Sequence, residues 1–198
     1  GDEAFSLLLE NKYEEAIPAF EEYIDSYQKN HILYGTTLYG RKKKANKMLS
    51  FAKAQIPPKR FNEGLEYFSD GNLDKAVRFF NEAYISADDN LRFEIDLKKE
   101  EIAKKIINDI NANFDTYSIK ECEDLLNNAI SISMEVYQDA QKIKGKLFFK
   151  KASLLHESNL LFDAIKYYEL SKSYDQTLSK LVSSRIESLV DALISNSH

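Results

Sequence analysis

The sequence predicts an all-α chain built from antiparallel helix hairpins. Apolar and aromatic side chains recur at three- and four-residue intervals over most of the 198 residues, the spacing that gives a helix one buried stripe. Glycine and proline are sparse, six and three, which argues against a β-rich or disordered chain. A third observation sets the arrangement: small and aromatic residues follow one another around a short turn, most clearly in Gly64, Tyr67, Gly71, Ala76, Phe80 and Ala83. Paired helices approach closely where small side chains meet, and rings fill the wider gaps.

Taken in order, a first hairpin is expected over about residues 3–28. Leu7, Leu8 and Leu9 lead into Asn11-Lys12, and a second helix carries Ala16 and Phe20, with Pro18 early enough to kink rather than break it. Residues 31–55 hold a compressed, degenerate unit. It reads either as two helices, Ile32, Gly35, Leu38 and Tyr39 on one and Ala45, Met48, Leu49 and Ala52 on the next, or as a single helix from His31 to Ala54 interrupted near Gly40. The unit at 57–90 is expected to begin at Pro57-Pro58, where a missing N–H costs little, and to turn at Ser69-Asp70-Gly71-Asn72. A unit at 91–139 starts after Asp88-Asp89-Asn90, which can cap a helix. Phe93, Ile95, Ile102, Ile106, Ile107, Ile110 and Phe114 form its expected buried stripe, followed by a turn at Asp115–Ser118 and by Cys122, Leu126 and Ala129. The last unit, 142–176, places Ala152 and Leu155 before a Ser158-Asn159 turn and Ala164, Tyr168 and Ser171 after it. A helix over 177–195, through Leu178, Leu181, Val182, Ile186, Leu189, Leu193 and Ile194, is expected to cover the core left open at that end, closing a single domain over 1–198.

Counted as a unit of about 34 residues from Pro57, the Gly64, Tyr67, Gly71, Ala76, Phe80, Ala83 order resembles the tetratricopeptide repeat (TPR). Arg60 stands where that family usually has tryptophan, and Asp88 where it often has proline. The resemblance implies hairpins stacked as a TPR-like solenoid with a C-terminal capping helix, and a non-enzymatic scaffold or adaptor that needs no cofactor and binds protein partners. Carried over residue by residue, it implies a groove lined by Phe61, Leu65 and Phe68, by Ile107 and Asn111 with Lys104 and Phe114, and by Phe149 and His156 with Lys146 and Ser153. Such a surface suits an amphipathic helix or an extended apolar peptide. The alternative reading packs Phe61, Leu65 and Phe68 between neighbouring first helices. The lysine–asparagine clamp that some members use for a C-terminal carboxylate is not matched, because Phe61 and Leu65 occupy its positions. Phe20 to Tyr27 is similar to repeat variants of bacterial envelope-assembly lipoproteins.

The net charge of -5 hides an asymmetry. Eight acids (Asp2, Glu3, Glu10, Glu14, Glu15, Glu21, Glu22, Asp25) face Lys12 and Lys29 in residues 1–30, whereas residues 31–62 hold no acid and eight bases, Arg41, Lys42, Lys43, Lys44, Lys47, Lys53, Lys59 and Arg60. One reading pairs the two blocks across neighbouring hairpins. The other makes the basic stretch, Arg41, Lys42, Lys43, Lys44, Lys47 and Arg60 in particular, an anion-binding module for nucleic acid or an acidic membrane surface. The acidic remainder of the chain argues against this second reading, and nucleic acid is not the expected partner.

Chemistry is sparsely encoded. His31, His156 and His198 are far apart with no ligand partners at metal spacing, and the glycines form no phosphate loop. Cys122 rules out an internal disulfide and falls at a small-residue packing position, as an inert buried thiol does. No apolar run reaches membrane-spanning length. Gly1 and Asp2 open abruptly inside an expected helix, as after processing, so the compartment stays open between the cytoplasm and a bacterial periplasm or envelope. Self-association through that N-terminal end is also left open.

Overall fold

The computed structural model describes the backbone of residues 2–30 and 37–195 and the side chains of residues 2–26 and 40–195. All regular structure among them is helical: α1 (Asp2–Leu9), α2 (Tyr13–Asn30), α3 (Thr37–Ser69), α4 (Leu73–Tyr84), α5 (Asp89–Ala112), α6 (Ile119–Ile132), α7 (Tyr137–Glu157), α8 (Leu161–Tyr174) and α9 (Ser179–Ser195), with single 3-10 turns at Met134–Val136 and Gln176–Leu178. The chain divides into two compact units, Gly1–Ile95 and Asp96–His198, with the boundary inside α5.

In the first unit α1 packs on α2, α2 on α3 and α3 on α4. Ala4, Ala16, Phe20, Ile24 and Ala45 form one core, closed by Phe5, Leu7, Leu8, Met48 and Leu49. The expected packing at residues 57–90 is present. Gly64 lies so close to α4 that a Cβ there would meet the Phe80 ring at 2.6 Å, Tyr67 stacks on Phe79 with centroids 5.1 Å apart, and Ala76, Phe80 and Ala83 are fully buried.

One local motif recurs three times. Asn11, Gly71 and Asn159 have φ of 58°, 76° and 59°, and the N–H after each, on Lys12, Asn72 and Leu160, donates to the carbonyls of Leu7, Tyr67 and Leu155, all at 2.9 Å. This left-handed ending satisfies carbonyls that the helix itself leaves unpaired. Seven residues before each turn residue stands a small one (Ala4, Gly64, Ala152), five after it an alanine (Ala16, Ala76, Ala164), and nine after it a ring (Phe20, Phe80, Tyr168). Each of these nine is buried. Glycine makes this conformation obvious at 71; asparagine also tolerates it, because its short polar side chain can bond locally.

The expected boundary at Pro57 is corrected: α3 runs unbroken through Pro57 and Pro58 from Thr37 to Ser69. Residues 37–55 are therefore an N-terminal extension of the helix that carries Gly64 and Tyr67, with no interruption at Gly40. His31, Ile32 and Gly35 of the expected degenerate unit lie outside the described residues, as do the side chains of Leu38 and Tyr39. Two interior prolines remove N–H donors and crowd the preceding turn, at a cost of about 3 kcal/mol or more for one such residue. Tertiary packing offsets this on both sides, with Ala45 and Ala52 buried upstream and Phe61 and Gly64 buried downstream.

In the second unit α6 packs on α7, α7 on α8 and α8 on α9. Asp88 caps α5 through the Leu91 N–H at 2.9 Å, and the turn at Asp115–Ser118 ends in a capping box in which Ser118 and Glu121 bond each other's backbone. Ala152, Ala164, Tyr168, Val182 and Leu189 build a core across α7, α8 and α9. Two expectations are corrected here. Phe93 is 65 % exposed rather than buried, and of the α9 stripe Leu181 and Ile194 face solvent at 46 % and 56 %. A single supporting helix buries only a narrow stripe, which on α9 is centred on Val182 and Leu189.

Candidate interaction site

The acidic and basic blocks meet along α2 and α3 in antiparallel register. Lys53 donates to Glu21 at 2.7 Å, and two helical turns away Arg60 pairs with Glu14. Arg60 also holds Glu63 at 2.8 Å and Glu82 at 3.7 Å and lies 5.5 Å from the centre of the Phe79 ring. One guanidinium thus ties α2, α3 and α4 together. Burial works against its charge, but the hydrogen bond to Glu63 and the fields of Glu14, Glu63 and Glu82 outweigh that and raise its pKa. A planar fork of donors suits this role, and the same guanidinium sits over an aromatic face.

This geometry divides the sequence-derived basic set. Arg60 leaves it, being bound by carboxylates within the unit. Arg41, Lys42, Lys43 and Lys47 have no ion-pair partner among the described residues, and Lys44 lies 5.4 Å from the centre of the Phe5 ring. The register explains the difference. Residue 21 faces 53 and 14 faces 60, so Lys47 and Lys44 come level with positions 27 and 30, a stretch (Tyr-Gln-Lys-Asn) that contains no acid.

The groove residues also divide. In the first unit Phe61 is buried, its ring 5.5 Å from that of Phe80, while Leu65 and Phe68 are half-buried. In the second unit Ile107 is buried, Asn111 exposed and His156 half-buried, and Phe149 meets Tyr168 edge-on at 5.1 Å. Phe61 and Ile107 therefore serve the interior. Leu65, Phe68, Asn111, Phe149 and His156 keep surface available.

α7 and α8 share a face of lysines and rings that sequence reading did not single out. The Lys144 ammonium lies 5.0 Å from the Tyr174 ring centre, Lys151 lies 4.2 Å from that of Tyr167, and Phe148 touches both tyrosines. Lys144, Phe148 and Lys151 stand four and three residues apart, a spacing that was legible, but their partners on α8 were not. Lys150 turns elsewhere in the unit and donates to the Phe114 carbonyl at 3.1 Å, near the end of α5, where a cation complements the helix dipole.

Few groups are tuned for chemistry. Burial raises the pKa of the Cys122 thiol, as expected for an inert core cysteine. The Tyr117 hydroxyl donates to Asp109 at 2.6 Å, which raises the tyrosine pKa. Among the described residues no three His, Cys, Asp or Glu side chains converge as metal ligands, and no helix is long and apolar enough to cross a membrane. An open cleft of about 260 Å³ lies on α1 and α2, lined by Glu3, Ala4, Ala19, Glu22, Tyr23 and Ser26. No family model matches the chain, and searches of curated proteins and of solved structures give no match either.

Proposed function

We propose that the chain is a TPR-like helical-repeat adaptor, non-enzymatic and free of cofactors, that holds a protein partner on the exposed faces of its first helices. The observation that carries this reading is the threefold recurrence of one hairpin: a small residue, a left-handed Asn or Gly seven residues on, then alanine and a ring at fixed spacing. Repeated hairpins of this kind keep their packing residues at the turn and the contact between helices, so the remaining faces can vary without disturbing the core. Leu65 and Phe68 on α3, and Phe149 and His156 on α7, are half-buried side chains of that sort. An amphipathic partner helix fits such apolar edges.

The test places a photo-crosslinking amino acid at Leu65, at His156 and, as a control, at Glu187 on the exposed side of α9. The adaptor reading expects the same partner from 65 or 156 and none from 187, with loss of that partner in Phe68→Glu. Equal crosslinking from all three positions, or none from the first two in the native host, refutes it.

A further inference from the structure

We infer that the first turns of α3 form a docking site for an anionic lipid surface, with Arg41, Lys42, Lys43, Lys44 and Lys47 as the cations and Phe51 as the apolar anchor. The site is independent of the repeat faces that the adaptor reading uses.

Five cations within seven residues span about 10 Å of helix. Among the described residues of the first unit they are left without counter-ions by the register of α2 against α3, which uses Glu21 on Lys53 and Glu14 on Arg60. Packing Ala45 and Ala52 inward turns Lys43 and Lys47 to the opposite side, and both are exposed. Phe51 lies one turn beyond Lys47 on that side, 48 % exposed, with its other edge against Tyr13. An exposed ring next to such lysines is the arrangement by which an interfacial helix engages charged headgroups and sets an apolar side chain at their base.

A lipid surface fits this patch better than a nucleic-acid strand does. A strand tracks a row of cations, and of the next three along α3 (Lys53, Lys59 and Arg60) the first and the last are already held by carboxylates that would repel phosphates. A bilayer needs only a compact cluster.

The experiment is co-sedimentation of the full chain with vesicles of phosphatidylcholine alone, or of phosphatidylcholine with about 30 % phosphatidylserine, where each basic residue near the surface is worth about fivefold in affinity. Binding is expected only with phosphatidylserine, and it should disappear near 0.5 M salt, where screening is short-ranged (about 4 Å). Lys43→Gln/Lys47→Gln should bind about 25-fold more weakly by that same measure. Phe51→Ser should weaken binding while Phe51→Leu retains it, and Lys53→Gln should leave it within about twofold, since Glu21 already occupies that lysine. Equal binding to both vesicles, equal losses from the Lys43/Lys47 and Lys53 variants, or salt-sensitive binding to oligodeoxythymidine without vesicle binding would overturn the inference.

Discussion

Replacing Gly145 by alanine sets two effects of opposite sign against each other, and the structure says which should win. Alanine in a helix interior is favoured over glycine by about 0.5–1 kcal/mol, from backbone entropy alone. At position 145, however, a Cβ would stand 2.6 Å from the Asp175 Cβ, 3.0 Å from its backbone nitrogen and 3.0 Å from the Ser171 carbonyl oxygen. Two of those atoms are backbone and already bonded to one another, Asp175 N–H to Ser171 C=O at 2.9 Å. Asp175 is itself buried and holds the Thr177 N–H at 3.0 Å, fixing the start of the 3-10 turn that leads into α9. Neither neighbour can give way without pulling apart the end of α8. Overpacking of this kind costs about 1–3 kcal/mol, so the net expectation is a loss of about 1–2 kcal/mol, or a few degrees in melting temperature for a chain of this size. Gly40, inside α3 with nothing within 4 Å of the place a Cβ would take, is the control; there the same change should gain stability. Thermal and urea unfolding followed by far-UV circular dichroism measure both. A Gly145→Ala chain as stable as the parent, or a destabilised Gly40→Ala chain, refutes the reasoning.

Gly71→Ala should destabilise by about 1 kcal/mol in the same assay, because φ there is 76° and open space around it cannot relieve the strain. Arg60→Met removes the guanidinium from Phe79 and abandons Glu14, Glu63 and Glu82; it should cost about 1–2 kcal/mol, and further replacement of Glu14 by Gln should recover part of the loss. The Glu121 carboxylate is held below its usual 4.5 chiefly by the Ser118 hydrogen bonds. A depressed pKa stabilises the fold above the unfolded value and loses that contribution as pH falls through the folded one, so the deficit of Ser118→Ala should narrow between about pH 6 and pH 3 in urea titrations. Cys122 should react with a thiol reagent at least about 100-fold more slowly in the native chain than in urea, and similar rates would contradict its burial.

The helical class and the hairpin at 57–90 were legible because each of their signals is local. A glycine seven residues before another, then alanine and phenylalanine, states a close contact, a left-handed turn and a ring within a single stretch. The same turn at Asn11 and Asn159 was harder to see as one motif, since asparagine serves many other roles in turns. Pro57-Pro58 misled for a physical reason: two prolines at a helix start cost little, and only packing on both flanks reveals that α3 runs through them. Phe93 misled in another way: it stands two residues, about 200° of helix, from Ile95, so burying Ile95 with Ile102 and Ile110 turns it out to solvent. Gly145 gave no local sign of its close contact, because the Asp175 that it accommodates is thirty residues away.

The charges show most clearly what sequence order leaves undecided. Eight bases without an acid between them look like one patch in the chain. Two helices in antiparallel register divide all of that run but Lys59 into two populations, because the acids on α2 stand at 14, 15, 21, 22 and 25 and then stop. Lys53 and Arg60 fall inside their reach and become struts of the fold. The cations at 41–47 fall beyond it and have no carboxylate partner among the described residues. Neither population differs from the other in residue type or local context. What separates them is a register set by Ala16, Phe20 and Ala45 packing together in one core, so the apolar contacts decide which charges remain available.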